Sequence, residues 1–251
     1  MQLTADNRFP GYRSRFVWLA VFAVAMGFLE AIVVIYLREI YYPDGFDFPL
    51  KLMSSDIIAI EWIRELATLV MLAGISIIAG RNNLQRLFYF LFVFGVWDIF
   101  YYAALKLLIG WPASLMTWDL LFLIPASWAG PVLAPVICSA IMIIMSLLII
   151  IKQEKDYLMR IRLADWLLIL GGAVIILYTF LADYSRLIVD SGVLASKRSH
   201  AGSEQLMNMI SNYVPDKYSW LLFVTGIVLV VSATVKIMIQ NRKHKTYEEL
   251  S

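Results

Sequence analysis

Cysteine and histidine are nearly absent from this chain, and charge is sparse. Cys138 stands alone, so the chain can close no disulfide on itself and cannot assemble a thiolate metal site. The two histidines, His200 and His244, both fall outside the long apolar runs. Bis-histidine haem, histidine-ligated di-iron and three-histidine zinc centres are therefore excluded within a bilayer, and no haem, iron–sulfur cluster or histidine-ligated zinc is expected. For the same reason no serine or cysteine inside these runs has a histidine base, which argues against nucleophilic catalysis. Charged residues make up 16% of the chain and apolar residues 61%, against about 25% and about 45–50% in soluble domains. So little polar surface cannot cover a fold in water, which excludes a soluble enzyme, a disordered chain and a disulfide-stapled secreted domain. Internal repeats and low-complexity segments are also missing.

What is present is a set of six apolar runs of about 20 residues, each long enough at about 1.5 Å per residue to cross a hydrocarbon core of roughly 30 Å. They fall at 16–37, 57–78, 87–108, 132–151, 166–183 and 220–239. The expected fold class is an all-α integral membrane protein, a six-helix bundle forming one polytopic domain over residues 1–251. Connections on one side carry Arg8, Arg13, Arg15, Arg81, Arg86, Lys152, Lys155, Arg160, Arg162, Arg242, Lys243 and Lys245. The other side has Arg38, Lys51, Arg186, Lys197, Arg198 and Lys217, spread over more residues. The positive-inside rule then puts both termini in the cytoplasm, which agrees with an even number of spans, and the expected location is the cell (cytoplasmic) membrane. Topology accounts for the basic residues, so no nucleic-acid partner is implied. The first run is too long for a signal peptide, contains Glu30 and lacks a small-residue cleavage site, so it is expected to remain as an anchor.

Three outward connections have a pattern of their own. Trp111 to Pro125 opens with Pro112 and continues through Leu115, Met116, Trp118, Leu120, Leu121, Phe122 and Leu123, too short to span. It reads as an interfacial or re-entrant half-helix over about 112–124 with Asp119 near its middle. Leu206, Met207, Ile210, Tyr213 and Val214 follow helical spacing behind Ser203, which predicts an amphipathic surface helix over about 203–214. Tyr41, Tyr42, Phe46 and Phe48, mixed with Asp44 and Asp47, read as an aromatic belt at headgroup level. Gly171 and Gly172 read as sites of close helix packing.

Ionisable residues inside the spans are concentrated in the first three. Glu30, Glu61, Arg64, Glu65, Asp98 and Lys106 all lie there, and a charge at mid-membrane costs roughly 2.5–3.5 kcal/mol on an insertion scale. Counted from the outward ends at about 1.5 Å per residue, Glu30, Arg64, Glu65 and Asp98 share one layer roughly 10–15 Å deep. Glu61, Arg64, Glu65 and Thr68 form a stripe with i, i+3, i+4, i+7 spacing. Asp98, Tyr101, Tyr102 and Lys106 form another, with Trp97 adjacent. Both stripes must face protein or water, so a polar chamber among the first three spans is expected, with Asp119 approaching from the half-helix and Thr179 and Asp183 from the fifth span. Four carboxylates against Arg64 and Lys106 leave negative charge in excess, which calls for protonation or a bound cation. Trp97, Tyr101 and Tyr102 add aromatic faces suited to an ammonium group.

Three functions fit this pattern. The first is a proton- or cation-coupled carrier or channel for a small solute or ion, with Glu30, Glu65 and Asp98 as exchanging groups and Arg64 as counter-ion. The second is a membrane enzyme acting on a lipid or isoprenoid-like substrate, its carboxylates doing acid–base work or holding a divalent ion such as Mg²⁺ or Mn²⁺. The third is a structural or assembly subunit of a larger membrane complex, docked through the apolar faces of the fourth and sixth spans; a homo-oligomer belongs instead to the first reading, where it would supply the symmetry that a chain without internal repeats lacks. The run Glu61-x-x-Arg64-Glu65 is not that of intramembrane CAAX-type metalloproteases: its order differs and the accompanying histidines are absent. A purely structural role, with buried ion pairs setting helix register, accounts for the same residues without any ligand.

Overall fold

A computed structural model describes residues 11–51, 53–124, 126–155, 159, 161–190, 212–215 and 217–240. Its long elements are six helices: α1 (Tyr12–Tyr41), α2 (Ser55–Ala79), α3 (Asn83–Ile109), α4 (Leu133–Glu154), α5 (Leu163–Asp190) and α6 (Trp220–Gln240). All six are long and apolar enough to cross a membrane. The chain is a polytopic membrane protein, and each of the six expected spans falls on one of these helices, with α5 continuing to Asp190, past the expected end at Asp183. The expected surface helix over 203–214 lies outside the described residues except for residues 212–214.

Local chemistry sets several helix ends. Ser54 accepts from the Ile57 N–H (3.4 Å) at the start of α2, with Asp56 in the first turn. Asn82 accepts from the Gln85 N–H (2.9 Å) at the start of α3. α3 stops at Gly110, whose φ of 71° is the left-handed conformation that glycine adopts without a Cβ clash. Between these ends, rows of exposed side chains such as Ile60, Ile63, Leu66 and Val70 on α2, or Leu221, Val224, Val228 and Val235 on α6, form the faces that hydrocarbon would cover.

Central in the bundle is α3, which packs on α1, α2 and α4. The α1 crossing is close because Gly27 has no side chain: a Cβ there would sit 2.7 Å from the Trp97 carbonyl oxygen. α5 and α6 form a separate tight pair. At their crossing a Cβ on Gly172 would lie 2.6 Å from the Gly226 carbonyl oxygen, whereas one on Gly171 would meet open space. Of the two glycines expected to permit close packing, Gly172 is the one that does. The α5–α6 pair meets the rest chiefly through α6 on α4 and through a strand on α5.

That strand belongs to the segment expected to be a half-helix, and here the expectation is corrected. Residues 112–124 are not helical. Strand β1 (Trp118–Phe122) pairs antiparallel with β2 (Trp128–Pro131), matching Asp119 with Gly130 and Leu120 with Ala129. Two further backbone bonds, Val132 N–H to Thr117 (3.0 Å) and Leu133 N–H to Leu115 (2.7 Å), extend the pairing. A short apolar run bounded by prolines is compatible with either helix or strand. The decision falls to a partner segment about ten residues on and to the helices around it. Phe122 stacks on Phe94 (centroids 6.3 Å apart) and touches Trp97 and Trp128, and Asp119 is fully buried. The hairpin is thus inserted among the helices, where its backbone polar groups need partners other than water.

Candidate functional site

The hairpin forms one wall of a cavity of about 100 Å³, room for a few waters or one small solute. α1 supplies Glu30 and Arg38, α2 supplies Glu61, Arg64 and Glu65, α3 supplies Trp97, Asp98, Tyr101 and Tyr102, and the hairpin supplies Asp119. All of these except Arg38 are residues singled out in the sequence.

Arg64 is the hub on the α2 side. Its guanidinium grips Glu61 one turn back (2.8 and 2.7 Å) and Glu30 across on α1, while the Thr68 hydroxyl donates to the other Glu30 oxygen (3.2 Å). The i, i+3, i+4, i+7 stripe therefore faces α1 and the cavity. Glu65 is engaged differently, because its carboxylate accepts the backbone N–H groups of Leu123 (3.0 and 3.1 Å) and Ile124 (3.2 Å). It closes the end of β1 by satisfying backbone donors that the strand pairing leaves free.

On the opposite wall, Arg38 donates to Asp119 (3.0 Å), and the Tyr102 hydroxyl donates to the other oxygen (3.2 Å). The Arg38 guanidinium lies 3.8 Å from the centroid of Trp111 and 4.3 Å from that of Phe46, so it is held by cation–π contact as well. Burial pushes the Asp119 carboxyl up from its ordinary 3.8 to about 6, against the opposing pull of Arg38, the Leu120 N–H and Tyr102. Asp98 accepts a single bond, from the Ser139 hydroxyl of α4 (2.8 Å). Neither Glu65 nor Asp98 forms an ion pair among the described residues. Two donors on cavity-lining residues, Arg38 Nη1 and Trp97 Nε1, are buried without a hydrogen-bond partner.

Three expectations are corrected. Lys106 is exposed at the end of α3, where its ammonium donates to the Gly110 and Pro112 carbonyls (both 2.9 Å) and so caps the helix instead of entering the chamber. Thr179 bonds to the Tyr218 hydroxyl (2.8 Å) and Asp183 faces Arg186 (3.9 Å), both away from the cavity. The first connection is more than a belt, since Tyr42 and Phe46 line the cavity. With Arg38 in place of Lys106 and Asp119 in the wall, the chamber has five carboxylates around two guanidiniums. By sequence Arg38 ends a span and reads as a topology charge, so nothing in its spacing assigns it to the chamber. Its aromatic neighbours just downstream were the available signal.

A second cavity, about 390 Å³ and almost wholly apolar, adjoins the first and shares Asp98, Leu121 and Phe122 with it. Among the described residues no three histidine, cysteine, aspartate or glutamate side chains are placed to hold a metal ion. Fold and buried charge together define a polytopic membrane protein with an intramembrane acidic chamber. Comparison with family models, with curated proteins and with solved structures finds no match to this chain.

Proposed function

We propose that the chain is a carrier or channel that moves a small solute or ion across the cell membrane coupled to protons or another cation. The observation that carries this reading is the charge of the chamber, five carboxylates around two guanidiniums in a space of about 100 Å³. Such an excess in a low-dielectric site is relieved by taking up protons or a cation, and a group that takes one up from one side and releases it to the other is the core of coupled transport. Asp98 is the exchanging group in this reading, because it has one neutral hydrogen bond and no ion pair among the described residues. Glu30, Glu61 and Asp119 are held by arginines, and Glu65 holds the hairpin. The asymmetry of basic residues puts both termini in the cytoplasm and turns the chamber outward.

The test is flux in liposomes containing purified protein, read by an internal pH dye under an imposed gradient and repeated with Asp98→Asn. Proton or cation movement in the wild type that falls at least tenfold in the variant is expected. No flux in either, or equal flux in both, would sink the proposal. A second reading, an enzyme acting on a lipid or isoprenoid-like substrate by carboxylate acid–base chemistry, is favoured by the apolar cavity beside Asp98. It requires cellular lipid profiles that change with Asp98→Asn, measured by mass spectrometry; identical profiles would remove it.

A further inference from the structure

The apolar cavity occupies the seam between α3 and α4 on one side and the α5–α6 pair on the other. It exists because α5 packs on α6 and β2 with at most marginal contact to α3 and α4. Its walls include Phe94, Phe122, Trp128, Met142, Phe180 and Val230. Met142 and Val230 lie near the middle of their helices, so the cavity is at mid-membrane height. At about 390 Å³ it falls within the range of small-molecule sites, roughly 300–1,000 Å³. Its one carboxylate is Asp98, at the junction with the chamber.

We propose that this cavity binds the apolar body of a lipophilic organic cation, a protonated amine or quaternary ammonium, whose charged nitrogen is held by Asp98. The proposal rests on the transport reading and names its substrate class. Charge selects the occupant. A phospholipid chain lying in the seam would leave Asp98 facing hydrocarbon, with its headgroup unable to reach mid-membrane height. An anion would be repelled by Asp98 and by the carboxylates of the adjoining chamber. A cation with an aromatic or aliphatic body satisfies both parts: the carboxylate gains the counter-ion that it lacks among the described residues, and the rings of Phe94, Phe122, Trp128 and Phe180 can pack on the body and face the charge. Entry through the seam from the hydrocarbon also suits a solute that partitions into the membrane.

The experiment is equilibrium dialysis of radiolabelled benzyltrimethylammonium against the full chain in nanodiscs. Two competitors dissect the site: neopentylbenzene, the same shape without charge, and tetramethylammonium, the charge without the ring. Saturable binding is expected, with both competitors at least tenfold weaker than unlabelled probe. Asp98→Asn should weaken binding at least tenfold and Asp98→Glu should restore part of it. Ala173→Phe, which fills the apolar cavity from α5, should do the same as Asp98→Asn; if that variant is not monodisperse, Ile176→Phe replaces it. Absence of saturable binding, equal competition by neopentylbenzene, or full binding in the filled variant would each overturn the proposal. Equal competition would mark a hydrocarbon site and favour the lipid-enzyme reading. Proton flux measured on the wild type with and without added benzyltrimethylammonium separates the two proposals: flux without binding retains transport and removes this substrate class, and binding with no flux in either condition retains the cation site and removes transport.

Discussion

At the end of the bundle where α1 begins and α6 ends, Arg15 donates to the Ala79 carbonyl (3.2 Å) and to Glu154 (2.6 Å), and Arg81 approaches the same carboxylate at 3.7 Å. Gln85 completes the group with a bond to Glu154 (3.0 Å), and nearby Lys236 of α6 meets Asp165 of α5 at 2.7 Å. None of these residues lines either cavity. At the hairpin end, five carboxylates surround two guanidiniums and a cavity. Both clusters join helices that the chain keeps far apart in sequence. At the first end both Glu154 and Asp165 have basic partners, so the interactions end in structure. At the second, Asp98 and Glu65 form no ion pair among the described residues, and the cluster has space beside it. Buried ion pairs fasten helices; buried carboxylates without a cation ask for a ligand or a proton.

The largest effect that would sharpen this contrast is on folding. Arg64→Met strands Glu30 and Glu61 together and is expected to cost about 3–5 kcal/mol, seen as loss of monodisperse protein or a lowered melting temperature. Adding Glu30→Gln should recover part of it. Arg15→Met should cost less, because Arg81 still faces Glu154; an equal or greater loss would break the comparison. Next comes a crossed pair of neutral substitutions. Asp98→Asn should abolish flux while changing stability by about 1 kcal/mol or less, since an amide oxygen still accepts from Ser139. Asp165→Asn should do the opposite, lowering the melting temperature and leaving flux intact, because it breaks a pair whose carboxylate is fully buried.

A third effect depends on pH. The Asp119 carboxyl binds its proton more tightly in the folded protein, at about 6, than in the unfolded chain, at about 3.8. Between those values the folded state holds more protons, so stability must fall as pH rises through the window, by on the order of 2–3 kcal/mol for this group. Asp119→Asn should flatten that slope in thermal unfolding between about pH 4 and about pH 6; an unchanged slope would assign it to other groups. The smallest effect belongs to Lys106. Lys106→Ala removes a helix cap worth about 0.3–1 kcal/mol and should leave flux and binding unchanged, whereas a lost activity would return Lys106 to the chamber.

Much of the chamber was legible in the sequence because depth along a helix is a matter of counting. Glu30, Arg64, Glu65 and Asp98 were assigned to one layer from about 1.5 Å per residue alone, and the α2 stripe from a periodicity of about 3.6 residues. What counting does not supply is the direction in which a chain end turns. Lys106 continues the α3 stripe by spacing, yet the carbonyls freed where the helix ends at Gly110 attract its ammonium. Arg38 lies just beyond the apolar run that ends at Leu37, and only the inward fold of Phe46 and Trp111 brings it to Asp119.

By itself, then, the sequence determined that this is a six-span membrane protein, which faces are apolar, and that a layer of carboxylates must be sheltered among the first three helices. Those conclusions follow from transfer cost and helix geometry, which act residue by residue. It took the folded chain to pair Trp118–Phe122 with Trp128–Pro131 as a hairpin inserted in the bundle, to bring Arg38 into the chamber and Lys106 out of it, and to open an apolar cavity against Asp98. Each of these depends on a partner distant in the chain: a second strand, a pair of aromatic rings, or a helix pair that packs on itself more closely than on its neighbours.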